Sequence, residues 1–167
     1  MTVIHPLHGI DTNLLIYALY KGESANDDLS IRAKSLTRHL WDIKHEIAIS
    51  VISLSEYLVK IDPEHHVSTT REIESYFRIA PFNARAAQIA AELFPHAKRL
   101  NSGPNKRERT VMSADVKIIA SLVAAGVYDI HSNDERFLKI ANLIARGHAL
   151  LDSYSLFDDQ LDDDAGT

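Results

Sequence analysis

The chain predicts an α/β fold, a three-layer α/β/α sandwich around a central, mostly parallel sheet of four to five strands. Three observations lead there. Short apolar runs alternate with longer segments of helical periodicity. The runs are separated by helices and not by two-residue turns, and parallel neighbours need such crossovers, which are nearly always right-handed. The 167 residues, 46% of them hydrophobic, suffice for about one domain with its own apolar core.

Residues 3–10 form the first expected strand, with Pro6 disturbing its middle. Residues 12–20 follow as a helix in which Leu14, Leu15, Ala18 and Leu19 recur at helical spacing, and 22–28 break it. A second helix, 29–44, repeats the spacing through Leu36, Leu40 and Ile43, and 46–51 (EIAISV) reads as a buried strand. Helices at 53–61 and 64–77 are divided at Pro63. The next, 84–99, contains Pro95, which predicts a kink or an end. The run NSGPN at 101–105 is a loop signal. An apolar helix over 114–125 stops at Gly126, a third strand covers 127–132, a helix over 135–146 ends at Gly147, and a fourth strand takes 148–152. A single domain is expected over 1–157. The tail, 158–167, is too acidic and too poor in apolar side chains to pack, and is expected to be disordered.

Composition narrows the chemistry. With no cysteine, a disulfide scaffold, a thiolate-bound metal and a thiol nucleophile are all excluded. No secretory signal and no apolar run of membrane length is visible, so a soluble, cytoplasmic protein is expected. The net charge of -5 is misleading about partners. Of 23 acidic residues, Asp158, Asp159, Asp162, Asp163 and Asp164 lie in the tail, leaving 18 acidic against 18 basic residues in the body. The phosphate-binding patterns GxxxxGK[ST] and GxGxxG and the serine elbow GxSxG are absent. Asn13 stands where an aspartyl-phosphate enzyme would need a second aspartate after Asp11.

Ligands of an open parallel sheet bind beyond the carboxyl ends of its strands. Asp11 follows the first strand, Asp134 follows the third, Glu56 sits one turn into the helix after the second, and Asp115 opens the helix leading into the third. Each alone has an ordinary structural reading. Asp11 is a helix N-cap, Ser53 with Glu56 and Ser132 with Glu135 make capping boxes, and Asp115 in a first turn complements the helix dipole.

Together they ask for more. Asp115 shares a stripe with Ile118, Ile119 and Leu122, which turns it toward the core. A buried carboxylate is costly without a cation. Two carboxylates about 5 Å apart repel by roughly 3 kcal/mol at an effective dielectric near 20. The neighbouring cations Lys60, Lys117 and Arg136 lie on helices where solvent is the expected direction. A divalent ion is then the economical partner, and an all-oxygen site suits Mg²⁺ or Mn²⁺ better than zinc. Such an ion neutralises phosphate oxygens and acidifies an attacking water, so phosphodiester hydrolysis is the natural reaction.

Asp11-Thr12-Asn13 after an apolar strand, SVISLSE at 50–56, ADVKIIA at 114–120 and SNDERF at 132–137 resemble the successive signatures of PIN domains, most closely those of VapC toxins. The resemblance runs from about residue 10 to 157, including LDSYSLF at 151–157. It implies a Mg²⁺- or Mn²⁺-dependent ribonuclease with Asp11, Glu56, Asp115 and Asp134 as its metal-binding, catalytic quartet. Asn13 and Ser132 fall on the supporting polar positions. It also implies homodimers and a cognate antitoxin. Two alternatives stay open: a solitary PIN nuclease in RNA processing, and a noncatalytic PIN fold that only binds a partner. Extra length around 95–110, the acidic tail, and serine at 132 where threonine is frequent depart from compact members.

Within the basic run over 98–109, Lys106, Arg107 and Arg109 are candidates for RNA contacts, or else belong to a solvated loop. The nine histidines show no HExxH spacing and read mainly as surface residues, with His131 close enough to Asn133 to be considered for the site.

Overall fold

A computed structural model describes residues 6–19, 27–100 and 106–151, the side chains of 106–109 excepted. Strand β1 (Leu7–Ile10) leads into α1 (Thr12–Leu19) and α2 (Asp28–Asp42). Strand β2 (Glu46–Ser50) leads into α3 (Val51–Leu58), a short 3-10 turn and α4 (His66–Tyr76). Strand β3 (Arg78–Ala80) precedes α5 (Ala84–Leu100) and α6 (Lys106–Ala124), and β4 (Asp129–Ser132) precedes α7 (Glu135–Ala141) and β5 (Arg146–Ala149). All five strands are parallel, in the order β3-β2-β1-β4-β5.

Alternation along the strands divides the core between the two faces of the sheet. Ile47 and Ile49 of β2 join Ile10, Leu14, Leu15, Leu36 and Leu40 under α1 and α2, whereas Ala48 joins Leu93, Ile119, Leu122 and Phe137 under α5, α6 and α7. The expected three-layer sandwich is therefore present.

Several local expectations are corrected. Strand β3 lies where the sequence showed only a helix end, because three residues before Pro81 carry no alternation to read. Helix α5 continues through Pro95 to Leu100, since Leu93 and Ala97, buried on either side, anchor both halves while the missing bond faces solvent. Helix α6 begins at Lys106, eight residues before the expected start, because Lys, Arg and Glu favour helix without contributing to the apolar stripe. Gly147 lies inside β5 and does not cap a helix. The loop at 101–105 and the tail at 158–167 lie outside the described residues.

The backbone of β1 comes close to α6 at Gly9. A Cβ there would stand 2.9 Å from Leu122 Cδ1 and 3.0 Å from Val127 Cγ1. Both neighbours are fully buried, so neither can give way easily. Gly9→Val should therefore destabilise the fold by about 1–3 kcal/mol. In urea unfolding its effect should be less than additive with Leu122→Ala, whose cavity takes up the added methyls.

Candidate active site

The site grows from the first residue past β1. The Asp11 N–H donates to His131 O (3.2 Å), so pairing of β1 with β4 extends one residue beyond the strand. Asp11 Oδ1 accepts from Leu14 N (2.7 Å), capping α1, and Oδ2 accepts a short hydrogen bond from Ser132 Oγ. Asp11 is only 3% exposed. Burial pushes its carboxyl up to about 6 against the pull of these hydrogen bonds.

Ser132 is a junction between two acids. Besides donating to Asp11, its Oγ accepts from the Asp134 N–H (2.9 Å). Asp134 is the N-cap of α7, its Oδ1 accepting from Arg136 N (2.8 Å) and Phe137 N (3.2 Å). The capping expected of Asp11 is thus real, Asp134 and not Ser132 caps α7, and both caps fix these carboxylates in place for the pocket. The two expected capping boxes are not formed. Ser50 caps α3, which places Ser53 in its interior, and Ser132 serves Asp11 and Asp134 in place of Glu135. From α3, Glu56 accepts a hydrogen bond from Thr12 Oγ1 (2.5 Å), and Ser53 Oγ lies 3.0 Å from the same hydroxyl.

Asp115 stands in the middle of α6 and not in its first turn, so the helix dipole gives it no support. Its side chain is 13% exposed. Burial first, then the charges of Asp134, Asp11 and Glu56, push its carboxyl up to about 7 despite the opposing charge of Arg136.

Arg136 is the main correction to the sequence reading. Instead of pointing to solvent, it turns inward, with Nη2 3.3 Å from Asp115 Oδ2 and 3.7 Å from Asp134 Oδ2. Lys60 also lines the pocket, whereas Lys117 is exposed as expected. All four acids, with Thr12 and Asn13, line this one pocket of about 390 Å³; Ser132 is fully buried. Thr12 and Arg136 were missed from sequence. The available signals were position, one beside Asp11 and the other two residues past Asp134.

The donor set suits a hard divalent ion. It is all oxygen, and burial raises the carboxyls of Asp11 and Asp115, a desolvation cost that a bound cation would offset. Among the described residues no three acidic or histidine side chains are already arranged around one point. Asp11 and Asp115, with Glu56 and Asp134, are the groups able to hold such an ion.

The remaining candidates are sorted by the fold. His131 is buried but does not line the pocket. Its Nε2 is 2.9 Å from His8 Nδ1, His8 Nε2 is 2.9 Å from His45 Nδ1, and its ring stacks on His148. Burial holds His131 neutral, its pKa lowered to about 3. These histidines form a row across neighbouring strands, which no sequence spacing reveals. Lys106, Arg107 and Arg109 lie in the first turn of α6, a helix and not the loop considered above. They immediately precede Thr110 and Val111, which line the pocket.

Comparison with known proteins places the chain. The PIN domain family matches residues 10–143. Among solved structures, VapBC2 from Rickettsia felis bound to a promoter DNA fragment is 20% identical, with a TM-score of 0.57 over 86% of this chain and 98% of that one. FitAcB from Neisseria gonorrhoeae is 17% identical, with a TM-score of 0.57 over 84% and 95%. DNA-bound VapBC from Salmonella typhimurium is 16% identical, with a TM-score of 0.60 over 89% and 100%. No curated protein matches in sequence.

The raised carboxyl of Asp115 has a sign that can be tested. A carboxyl with folded pKa above the usual 3.8 adds stability below that pH, and the contribution is lost as pH rises through about 7. Without metal, Asp115→Asn should leave the melting temperature nearly unchanged at pH 4 and raise it at pH 8, the gain in stability being on the order of a few kcal/mol at most. Taking the difference between variant and parent removes the opposing contribution of buried His131. An equal effect at both pH values would contradict the assignment.

Proposed function

Because the chain belongs to the PIN domain family, we propose that it is a Mg²⁺- or Mn²⁺-dependent endoribonuclease, the toxin of a toxin-antitoxin pair. The observation that carries this reading is the convergence of Asp11, Glu56, Asp115 and Asp134 on one pocket. PIN domains are generally nucleases, and the VapBC complexes among the structural neighbours agree with a VapC-like role. A cognate antitoxin and a second copy of the chain are the proposed partners.

Bound among the four carboxylates, the ion would supply charge neutralisation at the scissile phosphate and an acidified water. The protein's part is positioning. The Ser132 hydroxyl and the Leu14 N–H hold Asp11 in one orientation, two N–H groups of α7 hold Asp134, and Thr12 orients Glu56. Fixed oxygens lose no reorganisation energy as charge develops on the phosphate. Asn13, exposed at the pocket, is proposed as a supporting polar residue for the acids, and Lys106, Arg107 and Arg109 of α6 as candidates for RNA contacts. Among the described residues no helix is long and apolar enough to cross a membrane.

The test is to express the chain alone while mapping new RNA 5′ ends, with single-turnover cleavage measured on the purified protein. Asp11→Asn should abolish cleavage and leave single-stranded RNA binding largely intact. Neutralising Lys106, Arg107 and Arg109 together should weaken binding and flatten its salt dependence by up to about 0.7 log unit for each phosphate no longer neutralised, with little change in turnover at saturating RNA. Cleavage by Asp11→Asn at the parent's rate would overturn the proposal.

A further inference from the structure

Within the proposed site two cations, Lys60 and Arg136, are already present, and the placement of Arg136 is unusual. The Arg136 guanidinium reaches two carboxylates from different elements, Asp115 on α6 and Asp134 at the start of α7, through the single nitrogen Nη2. A permanent arginine-carboxylate pair is typically bidentate, with two parallel N–H bonds to one carboxylate. Here only the approach to Asp115 is within hydrogen-bond range, at 3.3 Å, and Nε is buried without a hydrogen-bond partner among the described residues. A buried donor left unmade is costly. The side chain is still one-third exposed, which leaves it a route toward the pocket mouth.

The oxygens that Arg136 faces are those a divalent ion would need. Guanidinium and metal cannot share them without strong repulsion between like charges in a partly buried pocket. We infer that Arg136 is the resident counter-ion of the site, holding Asp115 and Asp134 until a divalent cation displaces it. The inference rests on the metal-dependent reading above and makes Arg136 a positioning residue. It accounts for three facts at once: four acids are tolerated in one pocket, the arginine is incompletely bonded, and no ready metal cage exists among the described residues. Metal affinity is then lower than the carboxylates alone would give, because each binding event must also break the arginine's ion pairs.

The test is Mn²⁺ titration calorimetry on the whole chain and its Arg136→Gln variant at one pH. Removing the competitor should tighten Mn²⁺ binding by at least about tenfold, equivalent to ~1.4 kcal/mol. The metal-free variant should melt below the parent, with the gap closing at saturating Mn²⁺. Equal or weaker Mn²⁺ affinity in a folded variant overturns the inference and leaves the nuclease reading standing. Absence of Mn²⁺ binding by the parent overturns both. A second measurement needs no destabilising change: the Arg136 Nε–H resonance, assigned with Arg136→Lys, followed as Mg²⁺ is added to the parent. It should shift and lose protection from exchange along the metal-binding curve. An unmoved resonance at saturation overturns the inference.

Discussion

Pairing of β1 with β4 sets Ile10 opposite His131, and this register carries Asp11 and Ser132 off two adjacent strands side by side. Everything in the pocket is referred to that meeting. The Ser132 hydroxyl joins Asp11 to the backbone of Asp134, and Asp134 in turn caps α7, which delivers Arg136. A slip of one residue in the pairing would send every side chain of β1 to the opposite face. The register is secured by burial on both faces, with Gly9 against Leu122 on one side and Ile10 among Leu14 and Leu15 on the other.

The arrangement has an electrostatic cost that the fold meets in different ways. Asp11 receives hydrogen bonds, yet burial still pushes its carboxyl up to about 6. Asp134 gains two helix N–H groups, and Glu56 gains the Thr12 hydroxyl. Asp115, on a mid-helix position without such donors, depends on Arg136 and is the least well compensated of the four. Stability at neutral pH is therefore given up in a pocket lined by four carboxylates, the pattern expected where charge is reserved for a ligand.

Legibility from sequence followed the physics of each signal. Asp11, Glu56 and Asp134 were found because the residues after buried strands are identifiable from apolar runs alone. Asp115 was found from its stripe with Ile118, Ile119 and Leu122, yet its place in the helix was misjudged, since the polar residues from Lys106 onward extend α6 without leaving an apolar mark. Arg136 was assigned to solvent because an arginine early in a short amphipathic helix normally faces outward. Its inward turn depends on where α6 passes, which no local pattern encodes. The row of His45, His8, His131 and His148 escaped for the same reason, being assembled across strands far apart in the chain. Strand β3 was too short for period-two alternation to register.

The central claim is that these carboxylates form a divalent-cation site. Anomalous diffraction from crystals grown with Mn²⁺ tests it most directly. The account predicts an anomalous peak in the pocket about 2.0–2.3 Å from carboxylate oxygens of Asp11 and of at least one of Glu56, Asp115 and Asp134. Crystals that hold ordered Mn²⁺ elsewhere on the molecule, with no peak among these four side chains, would contradict it.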